Sequence, residues 1–200
     1  MTKSGPHPLL DRAVPAAEQL IRQANFGIEN LCHELDCGLK DLAEAVPTLD
    51  DLVVQVNNRF MQTFIARGKA SEAEAGDDLE AVNSLCSAWY AYTLEHSNQT
   101  RFLLQHAWAP GYVRPDWYLA TVESCFALIE TRLARLAPKA PQARIVGLAR
   151  GLYAAACGLY FLTVNERATP AGIADQHQLL RHLVGVAVTG LQAETGSGPG

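Results

Sequence analysis

Residues 142–164 read QARIVGLARGLYAAACGLYFLTV, an apolar helical segment in which Gly147, Gly151, Ala154 and Gly158 recur at spacings of four, three and four. An interior glycine costs a helix roughly 1 kcal/mol relative to alanine, so three on one stripe require a compensating gain. Close approach of a second helix supplies it. A further helical segment, about residues 171–193, places Leu180, Leu183, Ala187 and Leu191 on one face and adds Gly185 and Gly190 as small positions. The two segments are expected to pack face to face, either within the chain or against the same pair from a second copy. In the second case a symmetric four-helix bundle closes the interface, with Gly147, Gly151, Ala154, Gly158, Leu183 and Ala187 inside it.

The chain has 200 residues, 48% of them hydrophobic, which suffices for one or two compact units with a sizeable core. Its net charge of -5 opposes broad attraction to nucleic acid or anionic lipid. The longest apolar run, residues 151–164, reads as too short and glycine-rich to span a bilayer, bracketed as it is by Arg150 and Glu166. MTKSGPHPLLDRAVP at the N-terminus lacks the apolar stretch of a secretion signal. The expected location is the cytoplasm, with no membrane partner.

Five cysteines, at 32, 37, 86, 125 and 157, are an odd, scattered set that reads as reduced thiols. Cys32, His33 and Cys37 form the only dense cluster, and no second Cys or His pair follows at zinc-site spacing. They read as small hydrophobes on an amphipathic helix, with no metal and no cofactor expected.

The periodicity is helical throughout. Leu10, Val14, Ala17, Ile21 and Ala24 mark a first helix, with Pro15 at an early position. A short second helix covers residues 28–35, ended or turned by Gly38, and a third covers residues 39–45, stopped before Pro47. Thr48 caps a long fourth helix that buries Leu49, Leu52, Val56, Phe60 and Phe64. RGKASEAEAGDD, residues 67–78, reads as a boundary. A fifth helix runs from Leu79 to about His96, a sixth covers residues 100–106, and WAPGYVRPDW breaks the pattern before a seventh from Tyr118 to Leu136. The expected fold is all-α with about nine helices: an N-terminal helix-turn-helix-like domain at 8–47, a connecting helix at 48–68, a C-terminal domain at 69–193 and a disordered tail at 194–200.

This layout, three modest helices, a long fourth and a self-complementary last pair, resembles the TetR family of bacterial transcriptional regulators. AAEQLIRQANFGIENLCHEL is similar to the family's first helix, aromatic-glycine turn and start of the helix-turn-helix. AYTLEHSNQTRFLLQHA is similar to a segment where a helix ends at a histidine and a short apolar helix follows, and ARGLYAAACGLYFL to the penultimate helix. The resemblance implies a homodimer, a small apolar effector in the C-terminal domain and DNA contacts in the N-terminal one.

One stretch departs from the pattern. Family members carry Gly-Val-Ser, two variable residues, Thr, then Tyr and Phe ahead of Lys and Leu. Here GLKDLAEAVPTLDDL, residues 38–52, is about two residues shorter. With Leu52 in place of the motif's leucine, Ala43, Val46 and Leu49 stand where the tyrosine, phenylalanine and lysine belong. Between Phe26 and Asn58 one basic residue, Lys40, faces seven acidic ones, Glu29, Glu34, Asp36, Asp41, Glu44, Asp50 and Asp51, a local net charge of -6. Specific DNA binding rests on several cation-phosphate contacts. Direct DNA binding is therefore expected to be weak or lost, with Lys40, Arg12, Arg22 and Arg59, and flanking Lys3 and Arg67, the cations available for any that remains.

The resemblance also turns attention to aromatic residues beside the helices that would line an effector cavity: Trp89, Tyr92, Phe102, Trp108, Trp117, Phe126, Tyr153, Tyr160 and Phe161. His96 and His106 stand as polar anchors for a carboxylate or phenol, or as caps of their own helices. A cavity bounded by Trp89, Trp117, Phe126 and Tyr153 is the expectation, and solid core is the alternative. No phosphate-cradling glycine loop, nucleophile elbow or paired metal motif appears, and Cys125 and Cys157 sit in apolar helical text without a base beside them. No catalytic residue is therefore expected. The sequence reads as a TetR-like regulator with an apolar effector, acting on DNA weakly or through a partner regulator, or as a non-DNA-binding accessory protein of the same fold.

Overall fold

The computed structural model describes residues 8–165 and 176–196, with side chains described to residue 193. Among these residues every regular element is a helix: α1 Pro8–Arg22, α2 Ile28–Leu35, α3 Leu39–Ala45, α4 Leu49–Ala73, α5 Asp78–Glu95, α6 Ser97–Gln105, α7 Asp116–Leu136, α8 Gln142–Val164 and α9 Gln176–Gly196. They belong to two compact units, Met1–Met61 with His96–Ala120, and Gln62–Glu95 with Thr121–Gly200. Residues 96–120, assigned by sequence to the C-terminal domain, thus belong to the same unit as α1–α3.

The first unit is organised around Val14, Leu20 and Ile21 of α1, Leu31 and Leu35 of α2, Leu42 of α3 and Leu52 and Val56 of α4, with Phe102 and Leu103 of α6 packed against them. Each large aliphatic chain withdrawn from water contributes roughly 1.5–3 kcal/mol. α1 begins earlier than its periodicity implies, so Pro15 lies inside the helix. Pro15 and Asp11 are both exposed, so the Asp11 carbonyl that loses its donor stays open to water. In the α2–α3 connection the left-handed residue is Asp36, at φ 51°, and Gly38 instead begins α3 at φ -78°. Asp tolerates that region better than most residues, and the Asp41 carboxylate accepts the Gly38 N–H at 3.1 Å.

The fourth helix starts as its sequence indicates. Thr48 Oγ1 accepts the Asp51 N–H at 3.1 Å and donates to the Asp51 carboxylate at 2.7 Å. Asp50 and Asp51 hold the segment after α6: Asp50 bonds His106 Nε2 at 2.6 Å and accepts the Ala109 N–H at 3.0 Å, and Asp51 accepts the Tyr112 hydroxyl at 3.0 Å. Burial, followed by the hydrogen bond to Asp51, pushes the Tyr112 phenol up to about 12.

In the second unit α5 packs on α8 and α9, and α8 packs on α9. α4 runs through the stretch read as a boundary, to Ala73. Its alanines, lysine and glutamates are good helix formers. Gly68 permits close packing: a Cβ there would lie 3.1 Å from the side chains of Leu85 and Leu128. Arg132 of α7 pairs with Glu72 and with Asp78 at 2.7 Å, and this hydrogen bond holds the Asp78 carboxyl below its ordinary value.

The last helix is rotated relative to its sequence reading. Leu180, Val184, Val188 and Leu191 are buried, whereas Leu183 is 37% exposed and Val186 59%. The expected start at residues 171–175 lies outside the described residues. At the other end α9 continues to Gly196, three residues into the expected tail. α8 is 23 residues long and, with a mean hydropathy of 1.6 over its most apolar window, is long and apolar enough to cross a membrane, unlike the shorter run judged from sequence. In the folded unit one side of it is buried through Ile145, Ala149, Leu152, Ala156, Leu159 and Tyr160.

Candidate functional site

Three surfaces bear on function. The first is the α2–α3 face. Glu29, Glu34, Asp36, Asp41 and Glu44 are all exposed on it, and Lys40 is the exposed cation among them. The arginines expected to help are occupied elsewhere in the same unit. Glu18 is buried in α1 and pairs with both Arg22 and Arg59. Arg22 also lies 3.5 Å from Gln99 Oε1, and Arg12 donates to the Leu35 carbonyl at 2.9 Å. These side chains brace α1 against α2, α4 and α6. Lys3 lies outside the described residues, and Arg67, in the second unit, forms two hydrogen bonds to Glu95. The Glu18–Arg22 spacing of four was a readable sign of an intrahelical pair; the Arg59 partner, 41 residues away, was not.

The second is an aromatic cluster within the second unit, with Phe64, Trp89 and Tyr92 buried. Phe64 of α4 meets Trp89 of α5 edge-on at 4.3 Å between centroids; Trp89 lies 5.2 Å from Tyr153 of α8, which meets Phe126 of α7 at 5.4 Å. Four helices thus contribute to one chain of rings. Tyr92 joins it 6.1 Å from Phe64, and the guanidinium groups of Arg67 and Arg150 lie over the Tyr92 and Phe126 rings at 4.9 and 5.2 Å. Burial pushes the Cys157 thiol up, while side-chain hydrogen bonds with Tyr153 and Trp89 oppose that shift. Cys86 and Cys125 are pushed up to about 12 by burial, which leaves both thiols protonated at neutral pH and poor nucleophiles.

Not all of the sequence-derived aromatic set converges there. His96, Phe102, Trp108 and Trp117 belong to the first unit. Phe102 packs against Phe26 at 5.1 Å, Trp108 stacks on Tyr112 at 5.6 Å, and Trp117 is 44% exposed beside Tyr118. His96 begins α6 without a side-chain cap bond, its ring edge-on to Phe60, and His106 bonds Asp50 rather than capping α6. Tyr160 is fully buried against Phe161. Phe64 and Arg150 are the additions. Phe64 was legible as a core position of α4, but its role beside Trp89 depends on how α4 meets α5.

The third surface is the outer side of α8 and α9. A Cβ added at Gly147, Gly151, Gly158, Gly185 or Gly190 would meet nothing within 4 Å. Ala154 is exposed on the same α8 stripe, which Leu162 extends at 45% exposure. Leu183 and Val186 are exposed on α9, and Ala187 is half-buried. Among the described residues, nothing packs against these glycines. Among the described residues no group of His, Cys, Asp and Glu side chains is arranged to hold a metal ion.

No family model and no curated protein matches the sequence. Solved structures do match in fold. A protein of unknown function from Rhodococcus sp. RHA1 superposes with a TM-score of 0.71 at 14% identity, over 96% of this chain and 100% of that one. The TetR family transcriptional regulator PfmR from Thermus thermophilus gives 0.60 at 15% identity, over 90% and 99%. The multidrug binding protein EbrR, complexed with imidazole, gives 0.55 at 16% identity, over 90% and 95%. The chain has the all-α, TetR-like fold.

Proposed function

We propose that this TetR-like protein is a cytoplasmic homodimeric regulator that senses a small apolar ligand in its second unit and has weak or lost direct DNA contact. The observation that carries this reading is the charge of the α2–α3 face, five exposed carboxylates against Lys40. An acidic face repels phosphate, and Arg22 and Arg59, though half exposed, each share their charge with Glu18. A non-DNA-binding accessory protein of the same fold, acting through a partner regulator, is the second reading, favoured by those same engaged arginines. The homodimer is supported by the open α8 and α9 stripes, since helices lined by glycine and alanine approach closely and a two-fold axis places like stripes together.

The ligand reading is supported by the Phe64, Trp89, Phe126 and Tyr153 rings, which bring polarizable apolar groups from four helices together. That the similar EbrR structure holds imidazole agrees with it. The test is thermal unfolding of the purified protein with a panel of apolar acids, phenols and aromatic cations. A ligand held by these rings raises the melting temperature with its concentration by mass action and quenches tryptophan fluorescence. The absence of any shift across the panel would contradict the ligand-sensing role.

A further inference from the structure

We infer that Cys32 and Cys37 form a redox-modification site in the α2–α3 turn, a dithiol that a hydroperoxide closes to an intramolecular disulfide and a thiol reductant reopens. The two cysteines hold matched places in one helix ending. The Cys37 N–H donates to the Cys32 carbonyl at 3.0 Å and the Asp36 N–H to the His33 carbonyl at 3.2 Å, with Asp36 at φ 51°. That pair of bonds around a left-handed residue is the Schellman ending, which brings the side chains of its first and last residues together. A hydrophobic contact ordinarily fills this place. Here it is filled by two thiols in hydrogen-bond contact. A bridge requires Cα atoms within about 7 Å and Cβ vectors that converge. The backbone bond serves the first requirement and the thiol contact meets the second.

Both thiols are within reach of a small oxidant. They pack one side against the first unit's core yet are only partly buried, and they line an open hollow with His33, Asp36, Gly38 and Asp41. Cys86 and Cys125, by contrast, are buried. In the first step one sulfur attacks the peroxide: an S–O bond forms, the O–O bond breaks, and the departing hydroxide takes the thiol's proton as water. The second sulfur then attacks the sulfenic acid, forming the S–S bond and breaking the S–O bond. Two thiols and one peroxide thus become one disulfide and two waters. Burial, and next the adjacent Cys32, raises the Cys37 thiol, which assigns the first attack to Cys32 and the second to Cys37. Neither ligand sensing in the second unit nor DNA contact enters this chemistry.

The experiment treats the reduced full-length protein with hydrogen peroxide and then unfolds it in an alkylating reagent. Residues 23–40 form one tryptic segment that contains both cysteines. It should return unalkylated and lighter by two hydrogens, and fully alkylated after a thiol reductant. Cys37→Ser should lose the bridge and carry a sulfenic acid on Cys32 instead, with circular dichroism confirming that it folds. Equilibration in a glutathione redox buffer separates a built pair from nearness in sequence. The equilibrium constant for the bridge should be at least about tenfold higher in the folded protein than in urea. Equal constants, alkylation of both cysteines after peroxide, or bridges to Cys86, Cys125, Cys157 or a second chain overturn the inference. So does protection of both thiols by zinc alone, which would make the cluster a metal site. None of these outcomes bears on the thermal shift by an apolar ligand, so the two readings fail separately.

Discussion

Two apolar surfaces among the described residues differ in side-chain size and in surrounding charge. Along α8 the surface is built from Gly147, Gly151, Ala154 and Gly158, with Leu162 at its end. On α3 and its neighbours it is built from Ile28, Leu39 and Leu49 among carboxylates. Without side chains to hold another helix away, the first admits backbone-to-backbone approach, with Arg144, exposed three residues before Gly147, as the charge at its N-terminal end. Leu39, Leu49 and Ile28 instead project large aliphatic side chains into water. The two surfaces therefore differ in what they offer a neighbour: close backbone approach on α8, and large aliphatic side chains on a face rich in carboxylates around α3.

The comparison is broken most forcefully at α8. Gly151→Leu and Gly158→Leu should each convert the dimer to monomer in light scattering. An added Cβ meets nothing within 4 Å in the single chain, and leucine improves helix propensity by just under about 1 kcal/mol. The monomers should therefore be folded. Dimers that persist in both variants would remove the stripe from the interface.

The inner side of α8 provides the next largest effect. Trp89→Ala removes a 7% exposed ring from between Phe64 and Tyr153 and should destabilise the fold by about 3–5 kcal/mol in urea denaturation. Trp89→Phe keeps most of the volume and should retain the fold while changing ligand affinity. If Trp89→Phe bound every ligand as the parent does, the rings would be plain core. A smaller effect is expected on the acidic side. Glu29→Lys, Glu34→Lys and Glu44→Lys together cancel the local charge of -6. Non-specific duplex affinity should rise, and log affinity should fall more steeply with log salt, by about 0.9 for each further phosphate neutralised. Unchanged affinity would show that charge is not what separates the two surfaces.

These differences were unevenly legible in the sequence. α2, α3 and α8 were readable to the residue because Gly27, Gly38, Pro47 and Pro141 punctuate them and their apolar spacing is regular. The acidic tally needed no structure either. The course of α4 past Gly68 was hidden, because a glycine there reads as a break until Leu85 and Leu128 are brought against it. The face of α9 was displaced because Leu183 and Val184 are adjacent and equally apolar, and only packing decides which one is buried. The aromatic set was scattered for a related reason. Trp108 lies between α6 and α7 and Trp117 opens α7, but Asp50 and Asp51 draw the segment before α7 into the first unit.

The central claim is that a TetR-like fold here has an N-terminal unit that does not read DNA. Selection from a random duplex library with the purified protein at physiological salt tests it most directly. The account predicts no enriched palindrome, weak binding to all duplexes and a shallow dependence of log affinity on log salt, because Lys40 is the exposed cation on an acidic face. A palindromic site bound in the nanomolar range, with affinity falling steeply as salt rises, would contradict it.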